Sequence, residues 1–341
     1  MAALTAAAAL AGPALAAPAQ AATTPQYKVT IIRNLGGIKP FGINKNGDIF
    51  GTAVESGART EEAFVLKAGS TTLQFLGSPG DPGNTKSSAD PFGMNNADDV
   101  VGLDLVTQDT PVEWPNSVTP TSLAALGGLA TAPAKATAIN DNNEIVGYSE
   151  VHGSKPYVIQ NNKVTPLPLL PGGFDAQPFG LNNAGVIVGD GDAAPDGPMA
   201  VQWSSSGAIT KLPQLPHTLS SQAFAVNSSG VAVGDAILTS DGYAHAVMWA
   251  NGKITDLNPP GTVAGDRVAN GLNNNGVIVG SFNGGHGFVY RDGTATDLNT
   301  LIAPTAGLTL FSAIGVNDNG VIVGSAVLNN QNVAYELTPV S

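Results

Sequence analysis

Apolar and polar positions along this chain follow two periods at once. Runs of 4 to 6 residues alternate as short strands do, bounded by clusters of Gly, Asn, Asp and Ser, and the whole arrangement recurs about every 45 residues. The recurring core is apolar-Asn-x-x-(Gly, Asn or Asp)-x-apolar-apolar-Gly, found seven times as INKNGDIFG, MNNADDVVG, INDNNEIVG, LNNAGVIVG, VNSSGVAVG, LNNNGVIVG and VNDNGVIVG. Its leading Asn falls at positions 44, 95, 140, 182, 227, 273 and 317. An apolar stretch precedes each Asn, and a further strand follows 15 to 20 residues later, as in AFVLKAG, AVQWSSSG and AVMWANG. A short stretch ending in Leu, such as KITDLN, completes the unit. No 11-residue window carries a convincing helical period.

Four strands in about 45 residues, repeated seven times, predict an all-β, seven-bladed β-propeller of four-stranded antiparallel blades. A parallel β-helix is the competing reading, but its rungs are about half this length and the repeat does not split evenly in two. The last unit ends near Tyr335-Glu336-Leu337, one strand short, and YKVTIIRNLGG at the other end supplies a matching segment. The ring is therefore expected to be closed by an N-terminal strand, leaving no sheet edge open. Residues 27–341 form the predicted domain and leave no room for a second one.

Turn chemistry accounts for the repeated motif. The Asn is expected to bond the backbone two residues on, and the fourth position must take positive φ. That position holds Gly47, Asp98, Asn143, Gly185, Gly230, Gly276 and Gly320, all of residue types that tolerate it. The second turn position, such as Asn274, is expected to accept most residues. The apolar pair that follows should be covered on both faces by neighbouring blades, and the closing Gly should relieve crowding toward the axis or a bulge. Sevenfold recurrence argues against catalysis by any one copy.

Composition narrows the function. With 26 acidic against 14 basic side chains, the formal charge of −12 disfavours nucleic acids and acidic membranes. No Cys is present, which excludes disulfides and Cys-ligated zinc. Residues 1–22, MAALTAAAALAGPALAAPAQAA, read as a secretory signal peptide with Ala19-Gln20-Ala21 at the cleavage site. No basic residue precedes Lys28, so this reading sets the true start upstream of Met1. Pro13 and Pro18 argue against a membrane span there, and the mature chain is expected outside the cell as a monomer.

The N-x-x-G-x-I/V-V-G units, together with His245-Ala246-Val247 before Trp249 and His286-Gly287-Phe288 before Tyr290, resemble the bacterial extracellular HAF family, named for a His-Ala-Phe tripeptide. The resemblance covers nearly everything after Tyr27. It implies an exported repeat protein and supplies no catalytic residues. Five units depart from it, with Glu62, Thr110, Lys155, Met199 and Val333 in the His slot.

Chemistry specific to this chain should lie where the units differ. The hairpins joining first and second strands are nearly uniform, whereas the loops from second to third strand and from blade to blade vary, so a site is expected on that variable face. The candidate binding residues there are His245, His286, Asp235 and Arg267. The two His occupy one slot in adjacent blades, so they either face a shared cleft or merely cap and pack there. Arg267 and Arg291 each adjoin an acid, Asp266 and Asp292, and are expected as surface ion pairs. Asp190, Asp192 and Asp196 in GDGDAAPDG offer clustered carboxylates for calcium, although their spacing is not that of an EF-hand. Trp114, Trp203 and Trp249 share one register position and are read as packing between blades rather than as sugar platforms.

No nucleophile elbow, HExxH, Walker loop or dinucleotide fingerprint occurs. The chain therefore reads as an exported binding or scaffold module that recognises a glycan or an extracellular protein. The alternative is a secreted enzyme acting on polysaccharide, a lyase or glycosidase.

Overall fold

The apolar pair in front of each closing Gly shows how the chain packs. In the computed structural model, Val100 lies in a cluster with Phe50, Ala63 and Val65 of the preceding blade, whereas Val101 joins Ala136, Ile145 and Ile159 of the following one. The same division holds for Ile187 and Val188, and for Ile322 and Val323. Buried apolar residues fall into seven clusters, one at each seam between blades. The core is thus distributed around a ring rather than gathered in one place, and each pair fastens its strand to two neighbours. A fully buried Val contributes about 1.5 to 3 kcal/mol in such a seam. The structure describes residues 26–32, 37–54, 60–79, 88–106, 109–129, 132–150, 152–193, 196–258, 265–282 and 285–340. The signal-peptide reading of residues 1–22 lies outside them.

Seven four-stranded antiparallel sheets make up the ring, a seven-bladed β-propeller. Blade 1 runs through Ile38–Ile43, Ile49–Ala53, Glu62–Leu66 and Gln74–Phe75 from the axis outward. Blade 7 contains Leu308–Val316, Ile322–Leu328 and Gln331–Pro339, and its outer strand is Tyr27–Ile32 from the other end of the chain. That strand pairs Tyr27 with Pro339 and Ile32 with Ala334, as the repeat count predicts. Tyr27 is only 2% exposed, and the Arg291 guanidinium lies 5.4 Å from its ring centre while donating to its hydroxyl. Arg291 is therefore a clasp on the closing strand rather than the surface partner of Asp292. Among the described residues no helix is long and apolar enough to cross a membrane.

Two backbone features repeat in every blade. The fourth turn position has positive φ in all seven copies, from 58° at Asn143 to 93° at Gly47. Each innermost strand also carries a bulge, which sets Phe41, Phe92, Thr137, Phe179, Phe224, Asn270 and Ile314 out of register. The bulge explains the closing Gly: a Cβ on Gly189 or Gly234 would stand 1.9 Å from the carbonyl oxygen of Gln177 or Gln222 on the bulged strand. The crowding is therefore within a blade, not between blades at the axis.

Trp114, Trp203 and Trp249 are almost wholly buried in the seams. Each indole N–H donates to a main-chain carbonyl, that of Gly77, Pro168 or Pro213. Their role is packing, as their shared register predicts.

Candidate functional site

The two faces of the ring differ in kind. On the turn face the seven leading Asn residues form a closed circle. Each side-chain amide donates to the main-chain carbonyl of the corresponding Asn in the next blade, over 2.8 to 3.4 Å, and Asn317 returns to Asn44. Every Oδ1 meanwhile accepts from the N–H four residues on. The bond to the second residue on, which the sequence suggests, is also present in most copies. All seven Asn are at least nine-tenths buried. One side chain thus shapes its own turn and ties it to its neighbour.

A second, exposed set of links lies above the first and joins five of the seven pairs of successive turns. Asn96, Asp141, Asn183, Asn274 and Asp318 each accept from the backbone N–H of the second turn residue one blade back. Asp141 also takes the amides of Asn96 and Asn183. Its burial opposes ionisation, but these amides outweigh it and hold the carboxyl below its ordinary value. These bonds between blades give the second turn position a role beyond its own turn, although Lys45 and Ser228 hold the same position without accepting one. Together the two sets line a polar cup of about 370 Å³ on the axis.

The variable face carries the groups that distinguish one blade from another. The position after the closing Gly runs Thr52, Leu103, Tyr148, Asp190, Asp235, Ser281, Ser325 around the ring. In blades 4 and 5 it holds two carboxyls joined through Gln222, whose side-chain amide donates to Asp190 at 2.7 Å while its backbone pairs with Asp235. Burial pushes both up to about 6, reinforced by Asp175 and Asp192 at Asp190, and by Asp190 and Asp266 at Asp235. Across the mouth, Lys39 forms an ion pair with Glu61 at 2.6 Å, and this pairing holds the Glu61 carboxyl below its ordinary value. Beside that pair a pocket of about 520 Å³ opens between blades 7 and 1. Exposed apolar side chains stand around the same face, namely Leu105, Val106, Phe174 and Leu219.

The residues singled out in the sequence take the following places. His245 is held at both ring nitrogens, by Asp256 at 2.8 Å and Asp241 at 2.9 Å. Partial burial disfavours its charged form, yet the two carboxylates outweigh this and raise its pKa. His286 meets Asp297 of its own blade at 2.5 Å, so each His is engaged within its own blade. Arg267 is buried, with its guanidinium 4.6 Å from the Phe282 ring centre, and the expected surface pair with Asp266 is corrected accordingly. Asp266 itself accepts from the Ala244 N–H. Of the three candidate calcium ligands, Asp190 is engaged by Gln222, Asp192 has a buried oxygen without a partner, and the side chain of Asp196 lies outside the described residues. Among the described residues no three His, Asp or Glu side chains are grouped as metal ligands.

Sequence reasoning missed Lys39, Glu61, Gln222 and the seam pocket. No local signal singles them out: Ser281 of blade 6 is as small as Ser325 and Thr52 at the position after the closing Gly, and only ring closure brings the latter two together.

No protein-family model matches this chain, and no curated protein matches it. Among solved structures it is similar to a catalytically inactive virginiamycin B lyase from Staphylococcus aureus in complex with quinupristin. The TM-score is 0.56 at 10% identity, over 92% of this chain and 100% of that one. It is also similar to YCF48 bound to D1 peptide, with a TM-score of 0.53 at 10% identity over 97% of this chain and 100% of that one. At such identities the likeness establishes the propeller fold alone.

Proposed function

We propose that this chain is an exported binding module that holds a peptide or protein segment across the variable face. The observation that carries this reading is the contrast between the faces. The turn face ties its amides into links between blades, whereas the variable face combines a pocket, a paired cation and exposed apolar side chains. The structural neighbour captured with a peptide supports the choice of partner. The HAF resemblance and the Ala-rich N-terminus support export, with the mature protein extracellular and monomeric. Calcium bound by Asp190 and Asp192 of the strand Ile187–Ala193, together with Asp196, belongs to the same reading, and a thermal melt with calcium and with chelator tests it.

A second reading, a secreted enzyme acting on polysaccharide, has one observation in its favour. Asp190 and Asp235 are carboxyls held near pH 6 on adjacent blades at the mouth, where acid–base chemistry uses such groups.

Panning a displayed peptide library over the immobilised protein, beside a glycan array and a polysaccharide turnover assay, separates these readings. Selected peptides should lose binding to Phe174→Ser with Leu219→Ser, and should keep it with Asn274→Ser on the turn face. Failure to select any peptide, combined with polysaccharide turnover lost in Asp235→Asn, overturns the binding reading in favour of the enzyme. A glycan signal without peptide selection replaces the partner class.

A further inference from the structure

We infer that the pocket between blades 7 and 1 receives one uncharged apolar side chain, aromatic or branched aliphatic, from an extended peptide lying on the variable face. The inference rests on the peptide-binding reading and names what that face selects.

The pocket exists because of which residues follow the closing Gly. In blades 2 and 3 this position holds Leu103 and Tyr148, both buried, which fill the space beside them. In blades 4 and 5 it holds Asp190 and Asp235. In blade 6 it is Ser281, but Asn270 reaches its hydroxyl at 3.2 Å, and the neighbouring Phe282 stacks on Phe288 with Arg267 over it. At the seam of blades 7 and 1 the residues are Ser325 and Thr52, and both line the opening. Small side chains on both sides of one seam leave about 520 Å³, within the range of ligand pockets.

The lining determines the occupant. Ile38, Pro40, Phe41, Phe311, Ile314 and Val333 form apolar walls that reward burial of apolar surface. Phe311 stands out of register at a second bulge of the strand Leu308–Val316, the extra step that brings this aromatic ring to the pocket. The charged groups cancel one another: Lys39 is paired with Glu61, and Glu61 also accepts from the Thr52 hydroxyl at 3.1 Å. A charged side chain could pair with Lys39 or Glu61 only by displacing the other, an exchange that adds no ion pair, whereas a neutral one leaves the pair intact and gains the apolar walls. Hydroxyls of Ser312 and Ser325 and the amide of Asn332 supply donors and acceptors around the apolar walls. That combination suits a peptide, whose amides flank each side chain, better than a free hydrocarbon.

Saturation-transfer NMR on the full chain tests this with N-acetyl-Gly-Phe-Gly-amide, the same peptide with Ala in place of Phe, and benzyl alcohol. The Phe peptide should show ring saturation roughly tenfold stronger than the Ala peptide methyl signal, as expected for an anchor side chain. The signal should vanish in Ser325→Tyr, which installs the residue that fills this register in blade 3, and persist in Asn274→Ser. If Ser325→Tyr melts more than about 5 °C lower than the parent chain, Thr52→Leu, which copies Leu103 of blade 2, takes its place. Equal Phe and Ala signals, an equally strong benzyl alcohol signal, or a Phe signal that survives pocket filling each overturn the inference. Library-selected peptides that bind Ser325→Tyr undiminished overturn it while leaving the binding reading intact; absence of selected peptides overturns both.

Discussion

The side-chain amide of Asn317 donates to the backbone carbonyl of Asn44 across 273 residues of chain. This is the seventh of seven equivalent links, and it joins the last blade to the first without help from the terminal strand. The ring is therefore closed twice, by the strand Tyr27–Ile32 at its rim and by the Asn circle at its axis.

Asn182→Ala removes a buried donor to the Asn227 carbonyl and an acceptor for two partly buried backbone N–H groups. A loss of about 2 kcal/mol is expected in urea melts, because the Asn227 carbonyl is left buried without its donor while the N–H groups are only partly reached by water. Asn183→Ala, in the exposed set, should cost less than half as much.

Two glycines of the repeat should respond differently. Gly276 has a φ of +78° with nothing within 4 Å of a built Cβ, so Gly276→Ala carries only conformational strain of about 1 kcal/mol. A Cβ on Gly234 would lie 1.9 Å from the Gln222 carbonyl oxygen, so Gly234→Ala must displace a strand and should cost roughly 3 kcal/mol. Equal losses in equilibrium unfolding would refute the bulge as the reason for the closing Gly.

Stability should decline as pH rises through the weakly acidic range. Asp190 and Asp235 titrate near 6 when folded against an ordinary value of 3.8, so the folded state holds their protons longer than the unfolded state does. Their contribution is complete below about pH 4 and lost by about pH 7. In the presence of chelator, Asp190→Asn should leave stability at pH 4 nearly unchanged and raise it at pH 8 by on the order of 2 kcal/mol. Thermal melts of variant and parent across this window check the sign. A variant less stable than its parent at pH 8 would show that Asp190 is held by a stronger hydrogen-bond network.

Deleting residues 27–32 should expose the edge of Gln331–Pro339 and uncover the Tyr27 site beneath Arg291. A broadened melt and concentration-dependent association are the expected results, read by calorimetry and light scattering. Tyr27→Ala alone should cost roughly 3 to 5 kcal/mol, the range for removing a buried aromatic ring.

The architecture can be read from the sequence because its causes are local and repeated. Positive φ at Gly47 or Asn143 is dictated within four residues, and an apolar pair such as Val100-Val101 announces cover on both faces of its strand. Seven copies then fix the blade count, and the missing last strand identifies Tyr27–Ile32 as the closure. The partner of each Asn amide cannot be read this way, since a carbonyl one blade away is some 45 residues distant and no local rule selects it. Nor do the sequence neighbours of Arg267 and Arg291 reveal their partners, because the rings they cover, Phe282 and Tyr27, come from other strands. The candidate site depends on tertiary structure most of all. Ser325 and Thr52 are unremarkable in sequence, and only ring closure sets these two small side chains, from opposite ends of the repeat series, against one another to leave a cavity.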